Sequence, residues 1–260
     1  MRENQAESAH AVLQCEPPVA RVLLQHGKQN IIDFRMMDEL TNMLDDIEKQ
    51  AKISAILFES AGEHFSAGVD IPSHTSDKAA TMLEKFHGVI RRLQKTPKVT
   101  VAAVKGYCLG GGAELAMVCD IVITTEEAHW GFPEIRLACY PPVAAAALAA
   151  VVGQKVAAEL VLTGRSLDGR ESERIGLANH SVPADKLKEA VNECLERLSG
   201  LSPAALAHAK RALYAWDASH FEKGLKRAEE IYLSEVVKTD DAQEGIRAWI
   251  EKRKPQWTGK

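Results

Sequence analysis

The stretch KGYCLGGGAELAMVCD, residues 105–120, decides how this chain folds around its most unusual charge. Three consecutive glycines precede Glu114, which opens an apolar segment. Glycine permits positive φ and lets a ligand approach the backbone, and the first amides of a helix have no intrahelical partner. The stretch predicts a strand-to-helix turn and a helix that begins at Ala113. The free amides at the start of that helix, together with its dipole, would stabilise an oxyanion. A tight turn with a purely structural role explains the triplet equally well.

A second unusual carboxylate is Glu134, in WGFPE at residues 130–134. It follows a proline after a short apolar segment that reads as a strand. An unpaired buried carboxylate is costly, so neither Glu114 nor Glu134 stands where a charge is usual. Two carboxylates in apolar surroundings are suited to general acid–base catalysis.

A second glycine turn lies in FSAGVDI, residues 65–71, after a predicted strand at 53–58. Gly68 allows a close backbone turn there. One interpretation is a loop in which Asp70 caps a helix. The other is a second amide donor, since an oxyanion site needs two. Neither glycine turn has the spacing of a P-loop or of a dinucleotide fingerprint.

Composition excludes several classes of function. The chain has 260 residues, 46% hydrophobic content and a net charge of −4, which gives no general attraction to nucleic acid or anionic lipid. The five cysteines are odd in number and without C-x-x-C spacing, which favours free thiols over disulfides or zinc. The polar N-terminus lacks a signal core and no apolar run reaches about 20 residues, so we expect a cytoplasmic protein.

Strand-like and helix-like segments alternate over about 180 residues, which predicts an α/β fold. Helical patterns follow from Leu187 onward. The predicted strands are 20–24, 53–58 and 99–104, and a helical stripe at 82–93 ends at Thr96-Pro97. Further helices are predicted at 203–215 and 219–237, and a last one from a capping box formed by Asp241 and Glu244.

Several segments together resemble the enoyl-CoA hydratase (crotonase) family. They occur in the family's order and are residues 65–71, 104–116, 131–135, 162–164, 171–177 and the tail 244–255. The resemblance implies a spiral of ββα repeats over residues 1–200 and a helical region at 201–260 for trimerisation and active-site cover. It also implies trimers or dimers of trimers and an acyl-CoA substrate. No separate cofactor is implied, because coenzyme A is part of the substrate.

The resemblance also implies a binding backbone. Val69 and Gly111 match the two oxyanion-hole positions, whose backbone N–H groups hold the thioester oxygen. The residues that match the backbone bordering coenzyme A are Ala67, Gly68, Asp70 and Ile71.

Glu114 and Glu134 match both catalytic glutamates of true hydratases. The resemblance implies that Glu114 positions a water and takes its proton, while Glu134 protonates the enolate-like carbon. No metal site is predicted, because the histidines, His87 among them, show no ligand spacing. We interpret these histidines as non-functional.

The chain departs from the family after Glu134. A typical hydratase has a glycine-rich turn where this chain has RLACYPPVAAA, residues 136–146. Pro141 and Pro142 fix φ twice and remove two amide donors, so we predict a stiff loop with Cys139 and Tyr140 facing the acyl pocket. Neutral drift in a supporting loop would also explain these substitutions.

The altered turn resembles that of hydratases for cyclic dienoyl-CoA in anaerobic benzoyl-CoA breakdown. It therefore implies cyclohexa-1,5-diene-1-carbonyl-CoA as the substrate. The alternatives are a general short-chain enoyl-CoA hydratase, and isomerisation or thioester hydrolysis on the same scaffold. A non-enzymatic RNA-binding scaffold is disfavoured by the net charge of −4.

Overall fold

The computed structural model describes residues 9–215 and 217–260, so the polar start at 1–8 lies outside the described residues. The strands are β1 (Ala11–Glu16), β2 (Val19–Leu24), β3 (Ala55–Ser60), β4 (Val99–Val104), β5 (Tyr107–Leu109), β6 (Ile121–Thr125), β7 (His129–Gly131), β8 (Ser166–Leu167) and β9 (His180–Val182). The helices are α1 (Phe34–Glu48), α2 (Ala79–Lys95), α3 (Gly111–Met117), α4 (Pro142–Val152), α5 (Gln154–Thr163), α6 (Gly169–Arg174), α7 (Leu187–Ser199), α8 (Pro203–Leu213), α9 (Asp217–Ser234) and α10 (Asp240–Ile250). The predicted α/β class is confirmed.

The main sheet has the strand order β1-β2-β3-β4-β6-β9, and every pair except β1 with β2 is parallel. Its central strand β4, VTVAAV, is buried at every position, as expected for a parallel sheet covered on both faces. Alternate residues enter two different cores. Ile56 and Ala102 join the core with α1 and α2, while Leu57 and Val101 pack against α7.

A smaller sheet positions the two glutamates. Strands β5 and β7 pair in parallel, with Leu109 opposite Gly131. The Gly110 amide donates to the Gly131 carbonyl oxygen at 2.9 Å. The helix that carries Glu114 follows β5, and the 3₁₀ turn Pro133–Leu137 that carries Glu134 follows β7. The two carboxylates therefore leave neighbouring strands at the same end of the sheet.

The predicted strand 99–104 is observed with the same bounds, and the predicted strand 53–58 is found two residues later. Helix α2 ends at Lys95, as the Thr96-Pro97 pair predicts. The predicted capping box is wrong. The N-cap is Thr239, whose hydroxyl accepts from the Ala242 amide, because Asp241 instead accepts hydrogen bonds from the backbone N–H groups of residues 258 and 259.

Helix α3 begins at Gly111, two residues before the predicted start at Ala113. Close packing explains why glycine is needed here. A Cβ on Gly111 would lie 2.6 Å from Val69 Cγ2, and one on Gly112 would lie 2.7 Å from Ser66 Cβ. Gly110 has φ of +50°, a conformation that other residues rarely adopt. The structural interpretation of the glycine triplet therefore holds beside the functional one.

The C-terminal helices close over the end of the small sheet. Helix α9 packs against α4 and α2, and α10 packs against the 3₁₀ turn that carries Glu134. The approach of α10 is tight, since a Cβ on Gly245 would collide with the Leu137 carbonyl oxygen. Among the described residues, none of the helices combines the length and the apolar character needed to traverse a bilayer.

Candidate active site

A cavity of about 210 Å³ lies between α2, α3, the 3₁₀ turn at 133–137, α9 and α10. Most of its wall is apolar, with Met82, Leu83 and Phe86 from α2 on one side. Glu114 and Glu134 both reach it. A concave apolar pocket with a few convergent polar groups is the usual form of a small-molecule site.

Glu114 is almost fully buried, with 3% of its surface exposed. Its Oε1 accepts hydrogen bonds from the amides of Val143 at 2.9 Å and Ala144 at 3.0 Å. These amides belong to the first turn of α4, where the helix dipole also favours a negative charge. The first turn of α4 therefore stabilises the carboxylate form of Glu114.

Glu134 has no comparable support. Its Oε2 is enclosed and has no hydrogen-bond partner among the described residues. Its Oε1 lies against the backbone of Gly110, because a Cβ on that glycine would approach within 2.6 Å. The carboxyl group therefore fits only because residue 110 lacks a side chain.

The two carboxyl groups have different electrostatic surroundings. Burial raises the pKa of Glu114, and its two backbone hydrogen bonds offset part of that rise. Burial and then the nearby charge of Glu114 raise the pKa of Glu134. Hydrogen bonds to the charged form favour ionisation, so the amides of Val143 and Ala144 favour the charged form of Glu114 over that of Glu134.

Two backbone amides also belong to residues of the cavity wall. Val69 and Gly111 lie side by side, since a Cβ on Gly111 would lie 3.3 Å from the Val69 nitrogen. Within the described ranges, neither amide donates a hydrogen bond to another backbone or side-chain group. Both residues line the cavity. Such unpaired neighbouring donors can bind one oxyanion.

The structure brings most of the remaining predicted residues to this cavity. Those that line it are Ala67, Gly68, Ile71 and Tyr140. Asp70 is not in the lining; it accepts a hydrogen bond from the Ser73 hydroxyl. Cys139 is buried but does not line the cavity either, so of the two residues predicted to face the acyl pocket only Tyr140 does so.

Comparison with known proteins agrees with this geometry. Residues 15–260 match the family model described as enoyl-CoA hydratase/isomerase. The chain belongs to the enoyl-CoA hydratase/isomerase family. It is therefore an enzyme of the hydratase type with the crotonase fold.

Individual members of the enoyl-CoA hydratase/isomerase family are similar over most of their length. Cyclohexa-1,5-dienecarbonyl-CoA hydratase from Thauera aromatica is 34% identical over 94% of this chain and 95% of its own. A probable enoyl-CoA hydratase from Mycobacterium bovis is 35% identical over 88% of this chain and 90% of its own. The solved structure of carnitinyl-CoA hydratase from Mycobacterium avium superposes with a TM-score of 0.87 at 28% identity, covering 97% and 100% of the two chains.

Two residues of the cavity wall in this hydratase escaped the sequence interpretation. His87 and Tyr232 line the cavity and are almost fully buried. A signal for His87 exists, because it lies four residues after Leu83 and three before Ile90, inside the apolar stripe of α2. Polar residues on a buried helix face need a partner or a function. For Tyr232 the sequence offers no comparable signal.

One cluster of potential metal ligands exists among the described residues, namely His10, His26 and Asp33. None of these residues lines the cavity. The His10 Nδ1 lies 3.0 Å from Asp33 Oδ1, and the His26 Nδ1 lies 2.8 Å from the Ile31 carbonyl oxygen. The two histidine rings also stack on each other, so each of the three side chains has a contact within the chain.

Proposed function

We propose that this hydratase adds water to cyclohexa-1,5-diene-1-carbonyl-CoA, a conjugated thioester whose acyl group is a six-membered ring. The observation that carries the hydration step is the pair of enclosed carboxyl groups with unequal partners, Glu114 with two amide donors and Glu134 Oε2 with none. The similarity to the Thauera aromatica enzyme of that activity supports the ring.

In this proposal the amides of Val69 and Gly111 hold the thioester oxygen. Polarisation of the carbonyl makes the conjugated carbon electrophilic, and the two amides stabilise the enolate-like oxyanion that forms. One such donor is worth about 3 kcal/mol of barrier. The backbone of Ala67–Ile71 borders coenzyme A. The Asp70 side chain does not contact coenzyme A in this proposal, because its carboxylate accepts a hydrogen bond from the Ser73 hydroxyl.

Glu114 acts as the base that takes a proton from the attacking water. Its carboxylate is held ionised and oriented by the amides of Val143 and Ala144. Glu134 acts as the acid that protonates the enolate-like carbon, since burial and the adjacent charge raise its pKa. Positioned acid–base groups of this kind contribute about 10²–10⁴-fold to a rate. No metal and no separate cofactor take part in these steps.

The wall after Glu134 supports a ring rather than a flexible chain. Tyr140 lines the cavity and its hydroxyl donates to the Ala228 carbonyl oxygen on α9. Pro141 and Pro142 extend that wall and have fixed φ. The opposite wall is apolar, with Met82 and Phe86. A rigid apolar slot favours a flat ring, which loses little conformational freedom on binding.

We further propose that residues 201–260 form homo-trimers or dimers of trimers and cover the active site. Tyr232 and Trp249 support the covering role, because both line the cavity from this region. Exposed apolar side chains of the same region, Leu213 and Ile250 among them, support a role in assembly.

Steady-state hydration assays test the proposal. Loss of the absorbance of the conjugated thioester is followed for cyclohexa-1,5-diene-1-carbonyl-CoA and for crotonyl-CoA. We expect a higher kcat/KM for the cyclic substrate. A clear preference for crotonyl-CoA refutes the cyclic acyl group and leaves a general enoyl-CoA hydratase. Isomerised or hydrolysed thioester, without hydration of either substrate, refutes the proposed reaction.

A further inference from the structure

The cavity is lined by residues that carry enclosed polar atoms without a hydrogen-bond partner. Among the described residues there are four such side-chain atoms: His87 Nε2, Glu134 Oε2, Ser181 Oγ and Tyr232 OH. Three of the four belong to residues that line the cavity. Buried polar atoms without partners cost free energy and are rare in native proteins. Glu134 has a proposed role in hydration, whereas His87 and Tyr232 have none.

His87 is fixed so that it presents a hydrogen-bond acceptor. Its Nδ1 lies 2.7 Å from Glu229 Oε1, and Glu229 Oε2 accepts from Arg91 at 2.9 Å. Burial alone would raise the pKa of Glu229, but the hydrogen bonds from His87 and Arg91 lower it to about 2. An ionised carboxylate only accepts, so Nδ1 carries the hydrogen. Burial lowers the pKa of His87, which favours the neutral ring with a lone pair on Nε2.

Tyr232 brings an unpaired hydroxyl donor to the wall of the same cavity. It follows Glu229 by three residues on α9, so both side chains lie on one face of the helix. Its ring packs edge-on against Tyr140 at 5.5 Å between centroids. Burial and, after it, the nearby Cys139 thiol raise the pKa of Tyr232, yet its hydroxyl has no hydrogen-bond partner among the described residues.

One acceptor and one donor match a group that can both donate and accept. A hydroxyl group donates to a neutral imidazole nitrogen and accepts from a phenol. A carboxylate cannot donate, and it would bring a charge close to Glu114, Glu134 and Glu229. We propose that His87 and Tyr232 form a subsite that binds a hydroxyl group on the acyl part of the thioester.

The subsite rests on the proposed function for its acyl-CoA ligand, and it adds the class of acyl group. In the proposed reaction the hydroxyl is that of the hydrated ring. Tyr232 lines the same cavity as Glu114 and Glu134, the two groups proposed to hydrate the ring. Both polar atoms are enclosed, so the subsite requires that the wall formed by these side chains opens to admit the hydroxyl.

Calorimetric binding tests the subsite. The ligands are cyclohexanecarbonyl-CoA and its 2-, 3- and 4-hydroxy derivatives, titrated into Glu114→Gln protein so that each thioester stays intact. We expect one hydroxylated isomer to bind about tenfold more tightly than the plain ring. That preference disappears when Tyr232→Phe or His87→Phe is added. Tyr107→Phe, which alters an exposed tyrosine outside the cavity, serves as the control and keeps the preference.

Two results overturn the subsite. Equal binding of the plain ring and all its hydroxylated isomers shows that no hydroxyl is bound there. A hydroxyl preference that survives Tyr232→Phe, a change that removes one atom, shows that binding occurs elsewhere. If the enzyme hydrates crotonyl-CoA but no cyclic substrate, the proposed ring fails independently. The subsite is then judged by the same criteria with hexanoyl-CoA and 6-hydroxyhexanoyl-CoA.

Discussion

Gly110→Ala should show whether glycine is needed at position 110 for catalysis as well as for folding. Residue 110 has φ of +50°, and a Cβ there would lie 2.6 Å from Glu134 Oε1. Gly153 is a matched control. It also precedes a helix and has φ of +79°, but a Cβ there meets no atom within 4 Å. The two alanines therefore share the backbone strain, and only one of them meets the carboxyl group.

The magnitudes follow from these contacts. An unfavourable positive φ costs about 1–3 kcal/mol, which lowers the melting temperature by about 2–4 °C per kcal/mol in a chain of this size. Both variants should show that loss. In Gly110→Ala the Glu134 carboxyl must also retreat to ordinary contact distance, by a large fraction of an ångström. Displacement of a catalytic group by about 1 Å costs about 10²-fold in rate.

The assay pairs thermal unfolding with steady-state hydration of the preferred enoyl-CoA. We expect similar melting temperatures for the two variants, near-wild-type kcat for Gly153→Ala, and kcat lowered by about 10²-fold for Gly110→Ala. Wild-type kcat in Gly110→Ala would show that the position of Glu134 does not matter. An equal loss of kcat in Gly153→Ala would show that strain alone accounts for the effect.

Two further outcomes concern the carboxyl groups themselves. Glu114→Gln and Glu134→Gln should each lower kcat by about 10²–10⁴-fold while acyl-CoA binding by calorimetry is kept; full turnover in either variant contradicts its role. Because burial raises the pKa of Glu134 above its ordinary value of 4.5, the folded state holds a proton that the unfolded chain loses, and stability falls as pH rises from 4.5 to the raised pKa. Glu134→Gln should therefore stabilise the protein more at pH 8 than at pH 5 in urea unfolding, and an equal difference at both pH values would contradict the raised pKa.

Local patterns in the sequence predicted most of the secondary structure. The β-branched run 99–104 predicts a buried strand, and the structure has that strand with the same bounds. Proline after Thr96 ends α2 as expected. The capping box at Asp241 failed because capping residues compete for partners. Asp241 is drawn to the backbone of the C-terminal segment, a contact between positions distant in sequence that no local pattern records.

The sequence by itself determined where the glycine turns stand and singled out the two carboxylates, because conformational freedom and the cost of placing a charge in an apolar segment are local properties. Only the tertiary structure decided their partners. It set the Val69 amide beside Gly111 and gave Glu114 two donors from α4 but Glu134 Oε2 none. It also joined His87 to Glu229, 142 residues later in the chain. Proton affinity depends on such long-range contacts, so the physical difference between the two carboxyl groups is set by the folded chain.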